Sequence, residues 1–191
     1  MTSHFRLALT LAALGGAGTP ALAAPSPQAV ANQTVYRQWA KAPNRAQCAP
    51  LGVTAAIADG GKPRAAYFGG GWGVAFDRPG LRSAFGVAGT GVNDAGKWPH
   101  AERTRRLSLQ WPLVKQLQFG RARAVAGYGL LGGKPFPSEN LEGANEESIA
   151  YVYVEGQNCL YNVWSNLGRA HLETLLNSLF VMPKTAPQRR R

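Results

Sequence analysis

The sequence predicts an α+β fold. We expect a single domain in which a mostly antiparallel sheet of about six to seven strands packs against an N-terminal helix and a C-terminal amphipathic helix. Three observations favour this class: a helical period near the N-terminus, a series of short alternating segments in hairpin order, and a second helical period near the C-terminus. No internal repeat interrupts this order.

The first 23 residues are predicted to be a secretory signal peptide rather than part of the fold. Arg6 precedes an apolar run over residues 7–17, and Ala21-Leu22-Ala23 offers the small residues that a signal peptidase requires. The run is too short to span a bilayer. We therefore expect a soluble bacterial protein of the periplasm or extracellular medium, with its domain at residues 24–182 and a disordered basic tail at 183–191.

The N-terminal half is predicted to begin with a helix and to continue as short strands. The helical period is carried by Ala31, Val35, Trp39 and Ala42, and Pro43 ends it. Residues 51–57 and 65–68 then predict two strands. Residues 72–76 and 83–88 predict a hairpin with one bulky face and one nearly bare face, and a bare face allows another element to approach closely.

In the middle of the chain, apolar and polar residues alternate less clearly. Leu107, Leu109 and Trp111 alternate with polar residues and predict a strand. Residues 113–117 fit either a helical turn or a continued edge strand. Residues 121–128 predict another strand, and the Gly- and Pro-rich segment at 129–145 predicts a long loop, either mobile or involved in binding.

The clearest elements lie near the C-terminus. Residues 149–154 and 159–164 are apolar on both faces and flank turn residues, which predicts a hairpin in the middle of the sheet. A final helix is expected from one apolar face, with Asn166 as its N-cap and Pro183 as its stop. That face consists of Ala170, Leu172, Leu175, Leu176 and Leu179.

The chain has two cysteines, Cys48 and Cys159. An even number of cysteines in an exported protein favours a disulfide, so we predict that these two are bonded. Neither lies in a CxxC pair or next to a histidine, which disfavours redox catalysis and zinc binding.

Charge is the other marked property of the chain, with a formal net charge of +11. Basic residues are concentrated between Lys97 and Lys134, and residues 138–155 carry glutamates without Lys or Arg. If strand alternation places them on one face, four arginines form a stripe that binds anions. These are Arg103, Arg105, Arg121 and Arg123. The favoured alternative is that the stripe is neutralised by the glutamates of 139–147.

Motifs for catalysis, metals and nucleotides are weak. The GxGxxG pattern at 127–132 is followed by Pro135 and Pro137 rather than by a helix, so nucleotide binding is disfavoured. His100 and His171 are the histidines outside the predicted signal peptide, too few for a typical zinc site. No cofactor or metal is expected.

We expect a non-enzymatic domain that binds another envelope or secreted protein. The alternative is a cell-envelope hydrolase with a site built from His100 and loop carboxylates. A weaker alternative is a binder of anionic polymer or lipid through the arginine stripe. Nucleic acid is disfavoured because few aromatic residues accompany these arginines.

Overall fold

The computed structural model describes residues 24–184 as an α+β domain. The predicted signal peptide and residues 185–191 lie outside the described residues. The described residues contain four α-helices: α1 (Pro27–Lys41), α2 (Ala55–Ala58), α3 (His100–Ser108) and α4 (Arg169–Ser178). Their strands are β1 (Leu51–Val53), β2 (Lys62–Ala66), β3 (Trp72–Arg78), β4 (Leu81–Val92), β5 (Leu113–Phe119), β6 (Ala122–Leu130), β7 (Ser148–Val154), β8 (Cys159–Ser165) and β9 (Leu179–Val181). A 3-10 helix (Asp94–Lys97) precedes α3.

Seven strands form one antiparallel sheet in the order β2-β3-β4-β8-β7-β6-β5. The chain builds one half of the sheet with β2 to β4, crosses to the far edge at β5, and returns through β6, β7 and β8. As a result β8 pairs with β4, and the β7–β8 hairpin lies in the middle of the sheet, as predicted. Residues 113–117, for which the sequence left two possibilities, belong to the edge strand β5.

One face of the sheet, here named the core face, packs against α1, α2 and α4. Its large side chains are fully buried, among them Phe76, Phe85 and Tyr161. The predicted apolar face of α4 contributes Leu172, Leu175 and Leu176, each 0% exposed. The two terminal helices therefore cover the sheet as expected for an α+β domain.

The predicted disulfide is confirmed between Cys48 and Cys159, whose Cα atoms are 4.9 Å apart. It joins the segment after α1 to the first residue of β8. The same segment is held by Trp39, whose indole Nε1 donates to the Cys48 carbonyl at 2.7 Å. Among residues 24–184 no helix is long and apolar enough to span a membrane.

The predicted strand at residues 107–111 is wrong. Residues 107 and 108 end α3, and residues 109–111 follow the helix. Leu107 and Trp111 are buried at 1% and 8% exposure, but Leu109 between them is 73% exposed. Arg103 is also buried, at 2% exposure. Within α3 the buried positions 103 and 107 are four residues apart, as on one face of a helix, and a buried arginine hides that period in the sequence.

Several boundaries differ from the predictions: the strand predicted at 65–68 is Lys62–Ala66, and the one predicted at 83–88 is Leu81–Val92. The strand predicted for 51–57 ends at Val53 and is followed by the short helix α2. The last helix begins after Gly168 rather than after Asn166, because Gly168 has a φ of 92°, which is not helical and favours glycine. A Cβ at Gly168 would also lie 2.9 Å from the Gly143 carbonyl oxygen. That helix ends at Ser178, and Leu179 starts β9, which pairs with β1.

Candidate functional site

The opposite face of the sheet, here named the α3 face, packs against α3, the 3-10 helix and aromatic side chains. Its strands carry glycines where aromatic rings lie against the backbone. A Cβ at Gly86 would be 2.2 Å from Trp164, whose ring also packs at 5.6 Å from Phe68. A Cβ at Gly127 would be 2.7 Å from Trp111. The bare face predicted for the β3–β4 hairpin thus admits large side chains from elsewhere.

An open cleft of about 380 Å³ lies on the α3 face, where β6 leaves the sheet. Three segments form its walls: residues 110 and 111 just after α3, the turn after β6, and β7. Its lining residues are Gln110, Trp111, Leu131, Gly132, Gly133, Ile149 and Tyr151.

The glycines of the turn after β6 allow it to pack closely against Gln110, just after α3. Gly132 and Gly133 have φ angles of 79° and 75°, in the left-handed region that favours glycine. A Cβ at Gly133 would also lie 2.7 Å from the Gln110 carbonyl oxygen. The turn is closed by the Gly133 amide, which donates to the Leu130 carbonyl at 3.0 Å. The position of this one wall of the cleft is therefore set by backbone geometry.

The lining of the cleft offers apolar surface and a few hydrogen-bonding groups. Trp111 and Tyr151 meet edge to face, with ring centroids 5.2 Å apart. Leu131 is 53% exposed, and Gln110 supplies an amide. Of the lining side chains, all within the described residues, none carries a carboxylate, an imidazole or a thiol. Such a lining can hold an apolar group and orient it through the amide and the phenol.

Arg103 and Arg105 lie on α3 rather than on a strand, so the expected shared strand face of the four arginines is wrong. The buried Arg103 guanidinium donates to the carbonyl oxygens of Ala95 at 2.8 Å and Gly96 at 3.4 Å, and burial lowers its pKa. Arg105 binds Glu102 through two hydrogen bonds of 2.8 and 2.9 Å. Hydrogen bonds from Arg105 and Arg106 hold the pKa of Glu102 at about 2.

Arg121 and Arg123 lie at the β5–β6 turn. Arg121 is exposed in the turn, and Arg123 on β6 donates to both carboxylate oxygens of Glu155, at 2.7 and 3.0 Å. These hydrogen bonds lower the pKa of Glu155. The anion-binding role of the four arginines stays a prediction.

The expectation that the glutamates of 139–147 neutralise these arginines is wrong, because the paired arginines bind Glu102 and Glu155 instead. Within this loop Glu142 pairs with Arg169 of α4 at 3.0 Å. Arg169 also lies over the ring of Phe136, at 5.7 Å from its centroid. The long loop is thus attached to α4 rather than to the predicted stripe.

His100 is the first residue of α3, and its imidazole is hydrogen-bonded to the side chain of Gln116 on β5. It does not line the cleft, and the loop glutamates do not line it either. Within residues 24–184 no group of three His, Cys, Asp or Glu side chains is placed to hold a metal ion. The alternative of a hydrolase built on His100 stays a prediction.

The GxGxxG segment is extended. Gly127 to Leu130 belong to β6, and Leu131 to Gly133 form the turn that lines the cleft. No helix begins at this turn, so the described segment does not present the helix N-terminus that dinucleotide binding requires. The glycines instead shape the cleft.

Sequence analysis missed the cleft. The sequence predicts Trp111 in a strand, and Gln110, Leu131 and Tyr151 belong to no recognisable motif. The available signal was the pair Gly132-Gly133, directly after a predicted strand.

Comparisons with protein-family models, with curated proteins and with solved structures find no match.

Proposed function

We propose that this chain is a non-enzymatic binding domain, exported to the cell envelope or the medium, and that it binds a partner protein through the cleft on the α3 face. The observation that carries the proposal is the apolar lining of this cleft, with the half-exposed Leu131 at its rim. An aromatic and aliphatic pocket with a few polar groups is the usual anchor for a side chain of a partner protein.

The rim of the cleft indicates the chemistry of the partner. The Leu131 amide donates to the Glu147 carbonyl at 3.0 Å, so the acidic end of the long loop lies beside the cleft. Glu146 and Glu147 are both exposed, and no salt bridge among the described residues involves them. The partner is therefore expected to insert an apolar side chain flanked by basic residues.

Site-specific photocrosslinking tests the proposal with a matched pair of positions. Leu131 and Leu141 lie in the same loop and are 53% and 60% exposed, but only Leu131 lines the cleft. A photoreactive phenylalanine at 131, in cells that export the chain, should give a discrete protein adduct. The same group at 141 should not.

A second pair of variants links this adduct to the cleft. Gln110 and Gln118 are both exposed, and Gln110 alone is a lining residue. Gln110→Trp should fill the cleft and abolish the adduct, and Gln118→Trp should leave it. Equal adducts from positions 131 and 141, or an adduct that survives Gln110→Trp, would contradict binding through the cleft.

A further inference from the structure

The N-terminal part of the domain is basic and contains no acid. Residues 24–58 carry no Asp or Glu. Arg37, Lys41 and Arg45 in this stretch are exposed, and so is Lys184 at the other end of the described chain. We name these four residues the basic patch.

Hydrogen bonds bring the members of the basic patch together. The Tyr36 hydroxyl donates to the Lys184 carbonyl at 3.2 Å, and Lys184 Nζ donates to the Ala46 carbonyl at 3.2 Å. Lys184 is thereby held beside the chain neighbours of Arg37 and Arg45. Arg45 in turn donates to the Ala40 carbonyl at 3.4 Å, next to Lys41. These contacts place Lys41, Arg45 and Lys184 near the end of α1, and Arg37 lies one turn earlier on that helix.

The segment that carries Arg45 is firmly attached to the domain. Asn44 Nδ2 donates to the Gly89 carbonyl at 2.9 Å, and Cys48 is bonded to Cys159 in β8. The charges thus lie on a fixed surface rather than on a free segment.

The basic patch has no acidic partner among the described residues. None of its four side chains takes part in a salt bridge among the described residues. Arg37 and Lys41 are four residues apart on α1, and like charges at this spacing destabilise a helix. An external anion would relieve that repulsion, which favours a ligand-binding role.

We propose that the basic patch binds the surface of an anionic phospholipid bilayer. Clusters of four or more basic residues are attracted to acidic headgroups, and the attraction needs no shaped pocket. Nucleic acid fits less well. The aromatic side chains of this region are Tyr36, which is half-buried and bonded to Lys184, and Trp39, which is buried, so neither offers a free ring for base stacking.

The sequence beyond Lys184 adds to this charge. Arg189, Arg190 and Arg191 follow within seven residues. The bilayer assignment rests on the predicted export and is independent of the cleft, which lies on the opposite face of the sheet.

Vesicle co-sedimentation tests the proposal on the purified chain. The probes are vesicles of phosphatidylcholine alone and vesicles with about one third phosphatidylglycerol. The patch variant replaces Arg37, Lys41, Arg45 and Lys184 with Gln. The control variant makes the same charge change at four exposed basic residues elsewhere, with no salt bridge among the described residues: Lys62, Arg82, Arg121 and Lys134.

The wild-type chain should bind the anionic vesicles and not the neutral ones. Binding should weaken steeply between 0.1 and 1 M salt, because the screening length falls from about 10 Å to about 3 Å. Each basic residue near an anionic surface contributes about fivefold in affinity, so the patch variant should lose on the order of 100-fold or more. The control variant should lose much less.

Three results would overturn the proposal: equal losses in the two variants, no loss in the patch variant, or tighter binding to single-stranded DNA than to anionic vesicles at matched phosphate concentration. A melting temperature of the patch variant well below that of the wild type would assign the four residues a structural role instead. Photocrosslinking from position 131 should be unchanged in the patch variant, which separates this result from the test of the cleft.

Discussion

Gly127→Ala tests whether the α3 face is packed as described. A Cβ at this position would lie 2.7 Å from Trp111 Cδ1 and 3.0 Å from Leu107 Cβ. Since carbon atoms pack at about 3.5 to 4.0 Å, Trp111 must move by about 1 Å or the strand must shift. Overpacking of this kind costs about 1 to 3 kcal/mol.

The cost should be visible in thermal unfolding. For a domain of this size, 1 kcal/mol lowers Tm by about 2 to 4 °C, so Gly127→Ala should lower it by about 2 to 12 °C. The matched control is Gly69→Ala, because a Cβ at Gly69 has no neighbour within 4 Å. Circular dichroism melts of both variants provide the measurement.

The same substitution should also disturb the cleft, since Trp111 forms one of its walls. The tryptophan emission of Gly127→Ala should differ from that of the wild type, and the crosslink from position 131 should weaken. If the free energies of unfolding of Gly127→Ala and Gly69→Ala agree within about 0.5 kcal/mol, the packing of α3 on β6 is not as described.

Three further predictions concern the core, the disulfide and pH. Leu176→Ala should cost about 2 to 5 kcal/mol in urea unfolding, because this side chain is 0% exposed between α4 and the sheet. Replacing Cys48 and Cys159 with Ala should cost up to about 5 kcal/mol, since the bridge closes a separation of 111 residues. Burial, and to a lesser degree Arg78, lowers the pKa of His171. The unfolded chain therefore binds the proton more readily, and the free energy of unfolding should fall as pH drops below about 6.5, an effect that His171→Gln should reduce.

Each of these has a clear negative result. An unchanged urea midpoint for Leu176→Ala would place α4 outside the core. Recovery of both cysteines as free thiols from the exported protein would contradict the bridge. Equal pH dependence in the wild type and in His171→Gln would show that this imidazole does not control acid stability.

The elements that the sequence predicts correctly are those defined by local patterns. The β7–β8 hairpin follows from two apolar runs around a turn, α1 from a helical period that ends at Pro43, and the disulfide from the cysteine count. Each of these depends on short spacings or on composition. Tertiary packing does not override them.

The elements that the sequence does not predict depend on distant contacts. α3 was missed because its buried period includes Arg103, a residue type that is rarely buried. β9 forms because Leu179 to Val181 pair with β1, more than a hundred residues earlier. The cleft joins Trp111, Leu131 and Tyr151 from three segments, so no local pattern identifies it.

The central claim is that the cleft on the α3 face binds a partner protein. Once the protein crosslinked at position 131 is purified, titration calorimetry can compare its affinity for three forms of the chain: wild type, Gln110→Trp and Gln118→Trp. We predict that Gln110→Trp raises Kd at least about tenfold, equivalent to about 1.4 kcal/mol, and that Gln118→Trp matches the wild type. Equal Kd values for all three forms would contradict the assignment of the cleft as the binding site.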